Sequence, residues 1–298
     1  MARSLAESLK VAKQRQNLIL SQRVHTYLAA HPEGLSFSEP TAEEIKRLLM
    51  KKPRDRRGSF SPSASGYCAR RQVFGFLGTD GIRPFTTDQH NLFSDGTWRH
   101  LRWQAMGLDD GWFTGVEVSA KYCGMFLGSM DGDNTNEGWL FELKGTSTSE
   151  KKLRGEVLPF LEALDAGADP AEVTPETPEQ VYALKHWRQV QRYFAQTGDR
   201  YEMAVLMMEP KTTQSYVEMD LRPTKVGQAQ ARQEMHQLEQ AVVDRRLPAP
   251  LKECMSTRAG ATKKACPYGK VCLERLDWDE ATPSKPQRIA RPKRRRRK

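Results

Sequence analysis

Phe126-Leu-Gly-Ser-Met-Asp131 and Trp139-Leu-Phe-Glu-Leu-Lys144, separated by the turn-forming Asn134-Thr-Asn-Glu-Gly138, decide how the rest of the chain is read. Both runs are short, apolar and bounded by turn residues, which is the pattern of a hairpin. Alternation along a strand puts Glu142 and Lys144 on one face, and pairing around the turn sets Asp131 beside Glu142 at the sheet's end. Two carboxylates gathered there repel unless a divalent cation lies between them. A neighbouring ammonium orients or deprotonates a water and offsets charge developing on a phosphate. The Leu143 carbonyl is a further oxygen donor, and Mg2+ or Mn2+ suits such an oxygen-rich, open site. Asp133 shares a face with Asp131 as a competing ligand nearer the turn, and Glu117 on the preceding strand is a weaker third carboxylate. The plain alternative is a surface strand carrying an ion pair, and the flanking Trp139, Leu140 and Phe141 argue against it.

Working outward, the spacing predicts a polar amphipathic helix over 3–30 and a second over 41–51, opening at Thr41 with Glu43 and Glu44 in its first turn. A basic link, Lys51-Lys-Pro-Arg-Asp-Arg-Arg57, leads to a short helix over 63–74 that carries Cys68. Ser94 or Asp95 caps an expected helix through Trp103, which bears His100. Strands are expected near 112–120 and 124–132, with Cys123 a buried apolar residue. Residues 150–178 are acidic and punctuated by Pro and Gly, and read as an irregular excursion with a short helix. Pro178 opens a clear helix to about Gln196, on which Gln189 and Tyr193 share a face. Strands near 201–209 and 214–221 and a helix from Pro223 to Arg246 complete a mixed α/β order. The division expected is a helical N-terminal extension with its link at 1–57, a catalytic domain at 58–278 and a disordered basic tail at 279–298.

Gly96-x-x-x-His100, Gly128-Ser-Met-Asp131, Glu142-Leu-Lys144 and Gln189-Val-Gln-Arg-Tyr193 occur in the order found in the RecB-like PD-(D/E)XK nucleases. The chain resembles that superfamily over roughly residues 60–275. The resemblance implies a restriction-endonuclease-like core, a mixed central sheet flanked by helices. It also implies that His100, Asp131 and Glu142 bind the divalent metal, that Lys144 assists the attacking water, and that Gln189 and Tyr193 complete the active site. The activity implied is DNA exonuclease action on single-stranded or frayed ends. Two rivals stay open: a non-enzymatic nucleic-acid-binding protein with an inactive core, and a structure-selective endonuclease of the same fold.

Five cysteines in 298 residues are too few and too unevenly placed for a disulfide framework. Cys254, Cys266 and Cys272 crowd near the end without a Cys-x-x-Cys knuckle, which argues against an ordinary zinc module. Cys68, in Cys68-Ala-Arg-Arg71, is the obvious fourth thiolate for a cubane iron–sulfur cluster. One cysteine before the nuclease motifs and three after them is similar to the iron–sulfur branch of the same nucleases, which includes the CRISPR-associated exonuclease family and the AddB nuclease domain. Eleven residues separate Cys254 from Cys266, where that branch often has two. The resemblance thus implies a structural 4Fe–4S cluster stapling the core from both ends.

The net charge of +10 is concentrated in the tail: residues 281–298 hold nine Lys or Arg and no acid. Arg294, Arg295, Arg296 and Arg297 are expected to hold polyanions without reading sequence, while Arg70 and Arg71 track the DNA backbone. A solvated tail serving solubility alone is the bland alternative, and nuclear import through it stays open. Hydrophobic residues make up 38% of the chain, and no apolar run reaches bilayer length. With no signal-peptide pattern at the N-terminus, the expected location is intracellular and cytoplasmic. The expected partners are DNA and recombination, replication or CRISPR-type proteins, with no membrane.

Overall fold

In a computed structural model, residues 19–51, 57–80, 84–170, 172–210, 215–255, 266–269, 271–272, 274 and 277–283 are described. The start of the expected first helix, most of the basic link and the arginines at 294–297 lie outside the described residues.

Among the described residues the helices of eight residues or more are α1 (Ile19–Ala30), α2 (Glu39–Met50), α3 (Ala69–Leu77), α4 (Thr87–Asp109), α5 (Leu158–Asp165), α6 (Pro178–Thr197) and α7 (Lys225–Val243). A single mixed sheet of five strands, in spatial order β1-β2-β3-β4-β5, organises them. Its strands are β1 (Gly115–Tyr122), β2 (Phe126–Asn134), β3 (Trp139–Thr146), β4 (Met203–Pro210) and β5 (Val217–Leu221). All neighbours run antiparallel except β3 and β4, which are parallel, with Glu142 opposite Leu206. A parallel pair needs a crossover, and α5 and α6 supply it.

Burial on both faces explains why β4 from Met203 to Met208, and β3 from Trp139 to Phe141, are continuously apolar. Trp139, Phe141 and Leu143 turn to one face with Val205 and Met207, under Leu20 and Val24 of α1 and Trp103 and Met106 of α4. Leu140, Ala204, Leu206 and Met208 turn to the other, under α5 and the apolar stripe of α6 that includes Leu184, Trp187 and Val190. Each such large side chain taken from water contributes roughly 2 kcal/mol. A third cluster joins Phe60, Val73, Phe74 and Phe126 to Met235 and Leu238 of α7. Among the described residues no helix is long and apolar enough to cross a membrane.

Four elements depart from expectation. The helix expected over 63–74 begins only at Ala69, with Cys68 as the residue that precedes it. The helix bearing His100 begins well before Ser94, because Thr86 and Gln89 form a capping box: Gln89 N donates to Thr86 Oγ1 at 3.3 Å and Thr86 N to Gln89 Oε1 at 2.9 Å. Cys123 is exposed rather than buried in a strand. It lies in the β1–β2 turn at φ 49°, beside Gly124 at φ 70°, the backbone a tight hairpin demands. Residues 150–165 are helical, through Glu150–Lys152, a π turn at Leu153–Val157 and then α5. Leu153, Val157, Leu161 and Leu164 recur at helical spacing and are buried, so packing outweighs the local breakers.

Candidate active site

The β2–β3 ladder runs Asn134↔Trp139, Asp133↔Leu140 and Gly132↔Phe141, and then stops. The next pair in register is Asp131 and Glu142. The β1–β2 ladder likewise skips Glu117 and Asp131 while pairing the residues on either side, and Glu117 has φ 51°. Pairing therefore lapses on both sides of Asp131. Side chains take over the backbone groups so released: Leu143 N donates to Asp131 Oδ2 at 2.7 Å, and Gln104 Nε2 donates to the Asp131 carbonyl at 2.9 Å. Buried backbone groups must find partners somewhere, and here the side chains of Asp131 and Gln104 supply them.

Helices reach this opening from both layers. From α4, His100 Nδ1 lies 2.9 Å from Asp131 Oδ1, which leaves Nε2 for another partner. From α6, Gln189 Nε2 donates to Glu142 Oε1 at 2.6 Å and to Tyr193 Oη at 3.2 Å. Tyr193 Oη donates in turn to the Ser129 carbonyl at 2.7 Å. Lys144 Nζ also donates to Glu142 Oε1. Glu142 is 2% exposed, and its Oε2 is buried with no hydrogen-bond partner among the described residues. One oxygen of this carboxylate is thus held by two donors, and the other is left bare.

Burial pushes the Glu142 carboxyl up to about 7, and the charge of Asp131 adds to the effect against the opposing pull of Lys144. Burial acts the same way on Asp131, but His100, Lys144 and the Leu143 amide outweigh it and hold Asp131 below its ordinary value. Burial disfavours the charged Lys144, yet Glu142 and Asp131 hold it above the usual lysine value. His100 is likewise raised, because Asp131 overcomes the cost of burial. Burial, with the neighbouring Glu142 and Asp131, drives the Tyr193 phenol well above its usual range, so it stays a hydrogen-bond donor.

His100, Asp131, Glu142, Lys144, Gln189 and Tyr193 therefore meet in one place. The Leu143 amide turns to the same opening, and in a strand the carbonyl of a residue faces the same edge as its N–H. Asp133 belongs elsewhere: its carboxylate accepts from Tyr201 Oη at 2.5 Å and Arg200 Nη2 at 3.2 Å. Glu117 is taken by Ser129 Oγ at 3.0 Å and Lys51 at 3.4 Å. The sequence reading missed Gln104, whose available signal is its place one turn after His100 on the same helix face.

Cys68, Cys254, Cys266 and Cys272 all line one cavity of about 180 Å3, together with Arg71, Phe74, Leu251 and Tyr268. Burial raises the Cys272 thiol, Arg70 opposes the rise, and Cys68 and Cys266 add to it. Cys254 joins the others despite its long separation in sequence. Arg70, expected on the nucleic-acid face, is instead 3% exposed: Nε donates to the Cys272 carbonyl at 3.1 Å and Nη1 to the Pro248 carbonyl at 2.9 Å. It fastens the cysteine segment to α3 rather than meeting solvent. Arg71 is half-buried and turns toward Tyr67. Among the described residues no three His, Cys, Asp or Glu side chains stand close enough to share one ion, in either cluster. The donor chemistry nevertheless fits: a bare carboxylate oxygen, imidazole and carbonyl suit a hard divalent cation, and four thiols suit iron–sulfur.

No protein-family model matches the chain, and no curated protein matches it. Among solved structures it is similar to the crystal structure of SSO0001, with TM-score 0.39 and 13% identity over 79% of this chain and 95% of that one. It is also similar to an alkaline exonuclease, LHK-Exo, from Laribacter hongkongensis, with TM-score 0.35 and 15% identity over 63% and 92% of the two chains. The complex of LHK-Exo with dAMP gives TM-score 0.34 and 18% identity over the same shares. At such scores neither a family nor an activity follows from the likeness.

Proposed function

We propose that the protein is a metal-dependent deoxyribonuclease of the PD-(D/E)XK type that acts exonucleolytically on single-stranded or frayed DNA ends. The observation that carries this reading is the asymmetry of Glu142, whose Oε1 is tied to Lys144 and Gln189 while Oε2 is buried and, among the described residues, unpaired beside the Asp131–His100 pair. A structural ion pair has no use for a buried, bare oxygen, which costs about 1–3 kcal/mol to leave unmatched. Glu142 Oε2, Asp131, His100 Nε2 and the Leu143 carbonyl would hold Mg2+ or Mn2+. When bound, such an ion supplies Lewis acidity at a phosphate oxygen and a more acidic water.

The protein's own groups do the rest. Lys144 is held protonated, so its ammonium donates a hydrogen bond to the water or phosphate and offsets anionic charge instead of removing a proton. Asp131 fixes the His100 ring through Nδ1 and so aims Nε2. Gln189 and Tyr193 are positioning residues: they lock Glu142 and the Ser129 backbone and leave substrate contact to others. In the same proposal Cys68, Cys254, Cys266 and Cys272 hold a 4Fe–4S cluster that joins the start of α3 to the segment after α7.

The test compares wild type with Asp131→Ala and Lys144→Ala on end-labelled single-stranded and circular DNA, with Mg2+ or Mn2+. Linear substrate is degraded by wild type and spared by both variants. Mutants as active as wild type would remove the assigned centre, and equal cutting of circular substrate would remove the exonuclease reading. Cys272→Ser separately abolishes the iron and acid-labile sulfide of anaerobically purified protein. Zinc without iron in the wild type would overturn the cluster.

A further inference from the structure

Beside the catalytic opening, two cations converge on one phenol. The guanidinium of Arg71 stands 3.6 Å from the centroid of the Tyr67 ring. The ammonium of Lys185, one turn before Gln189 on α6, lies 4.4 Å from the same centroid and donates to the Tyr67 hydroxyl. Among the described residues neither cation is paired with a carboxylate, and all three side chains are only partly buried. Two like charges at one ring repel each other, and among the described residues aromatic and hydroxyl contacts hold them there. An anion would relieve that repulsion. Burial raises the Tyr67 phenol, but Lys185 and Arg71 outweigh it and hold it below its ordinary value, as expected where positive potential is concentrated.

The position of the pair relates it to the catalytic centre. Tyr182, one turn before Lys185, donates to the Gly145 carbonyl at 3.1 Å, next to Lys144. Tyr182 and Lys185 thus follow one another on the helix that also carries Gln189, which holds Glu142. Arg71 also lines the cysteine cavity. The pair thus borders the thiol cavity through Arg71 and shares, through Lys185, the helix whose Gln189 holds Glu142.

We infer that Lys185 and Arg71, steadied by Tyr67, form a second phosphate subsite that grips a backbone phosphodiester of the strand cut at Glu142 and Asp131. This rests on the nuclease reading for the identity of the strand. Delocalised and point cations together suit a passing backbone, which offers charge but no fixed orientation.

The test is fluorescence anisotropy of a fluorescein-labelled single-stranded oligonucleotide in EDTA, where cleavage is absent, across a salt series. Lys185→Gln weakens binding and makes the log–log salt slope shallower by about 0.7, the share of one single-strand phosphate contact. Lys185→Arg, which keeps the charge, restores the wild-type slope. An unchanged slope for Lys185→Gln at wild-type melting temperature would overturn the subsite, as would equal losses in the Gln and Arg variants. Oligonucleotides with and without a 5′-phosphate lose affinity equally, and a loss confined to the phosphorylated strand would mean an end-binding pocket instead. Failure of the nuclease reading shows separately, as wild type that leaves DNA intact with Mn2+.

Discussion

Replacing Glu142 with Gln in metal-free protein isolates the electrostatic cost of the candidate centre. Burial and Asp131 raise the folded-state pKa of Glu142 from 4.5 to about 7, so the folded protein binds this proton more tightly than the unfolded chain does. Stability from this group is complete below pH 4.5 and is lost as pH rises through about 7. At about 1.4 kcal/mol per pH unit, the interval is worth roughly 3 kcal/mol. Asp131 acts in the opposite sense but below this window, because its folded pKa lies under its ordinary 3.8. His100 is raised above 6.5, so its contribution is complete over most of the window and begins to fade only near its alkaline end. Gln mimics the protonated acid in shape and can still accept from Lys144 and Gln189. Urea unfolding in EDTA across the window therefore shows a declining stability for wild type and a flatter profile for Glu142→Gln. The two curves meet at the acid end. Parallel curves would refute the reasoning, since they would mean that Glu142 ionises in the fold at no cost.

Two further substitutions test the frame around the site. An alanine Cβ at Gly128 would stand 2.5 Å from Pro62 Cδ and 2.7 Å from Cγ, a ring that cannot swing away. Gly128→Ala should destabilise by about 1–3 kcal/mol, read as a lower melting temperature. Arg192 has a fully buried side chain, 3.9 Å from Glu234, with Nε and Nη2 unpartnered among the described residues. Arg192→Met should leave urea stability within about 1 kcal/mol of wild type or raise it, since burying that charge is itself expensive. Glu234→Ala should instead cost about 2–4 kcal/mol, because it strands Arg192 and removes the acceptor of Ser65, Gly66 and Gln72.

What could be read from the sequence followed from simple periods. Glu142 and Lys144 share a face because strands alternate, and Gln189 and Tyr193 share one because helices repeat near four residues. The turn length aligns Asp131 with Glu142 in the same way. What could not be read depends on a single angular step or on a break in regularity. Arg70 and Arg71 are consecutive on α3, so one must turn inward and the other aside, and composition does not say which. The lapse in pairing around Asp131, with Glu117 at φ 51°, interrupts the very alternation on which strand reading depends. Cys254 enters the thiol cavity through a fold of the chain that no local spacing encodes.

The parallel pairing of β3 with β4 bears on how the molecule is made. On the ribosome, β3 emerges with β2 available at once, while its other partner lies beyond α6. Until Met203–Pro210 is synthesised, Trp139-Leu-Phe is an apolar edge with nothing covering it, the kind of segment on which nascent chains stick to one another. Glu142 is also without Gln189 for most of that interval. The nascent protein therefore exposes this edge before Glu142 acquires its partner on α6, and a chain truncated ahead of α6 would keep the exposed edge and lack Gln189.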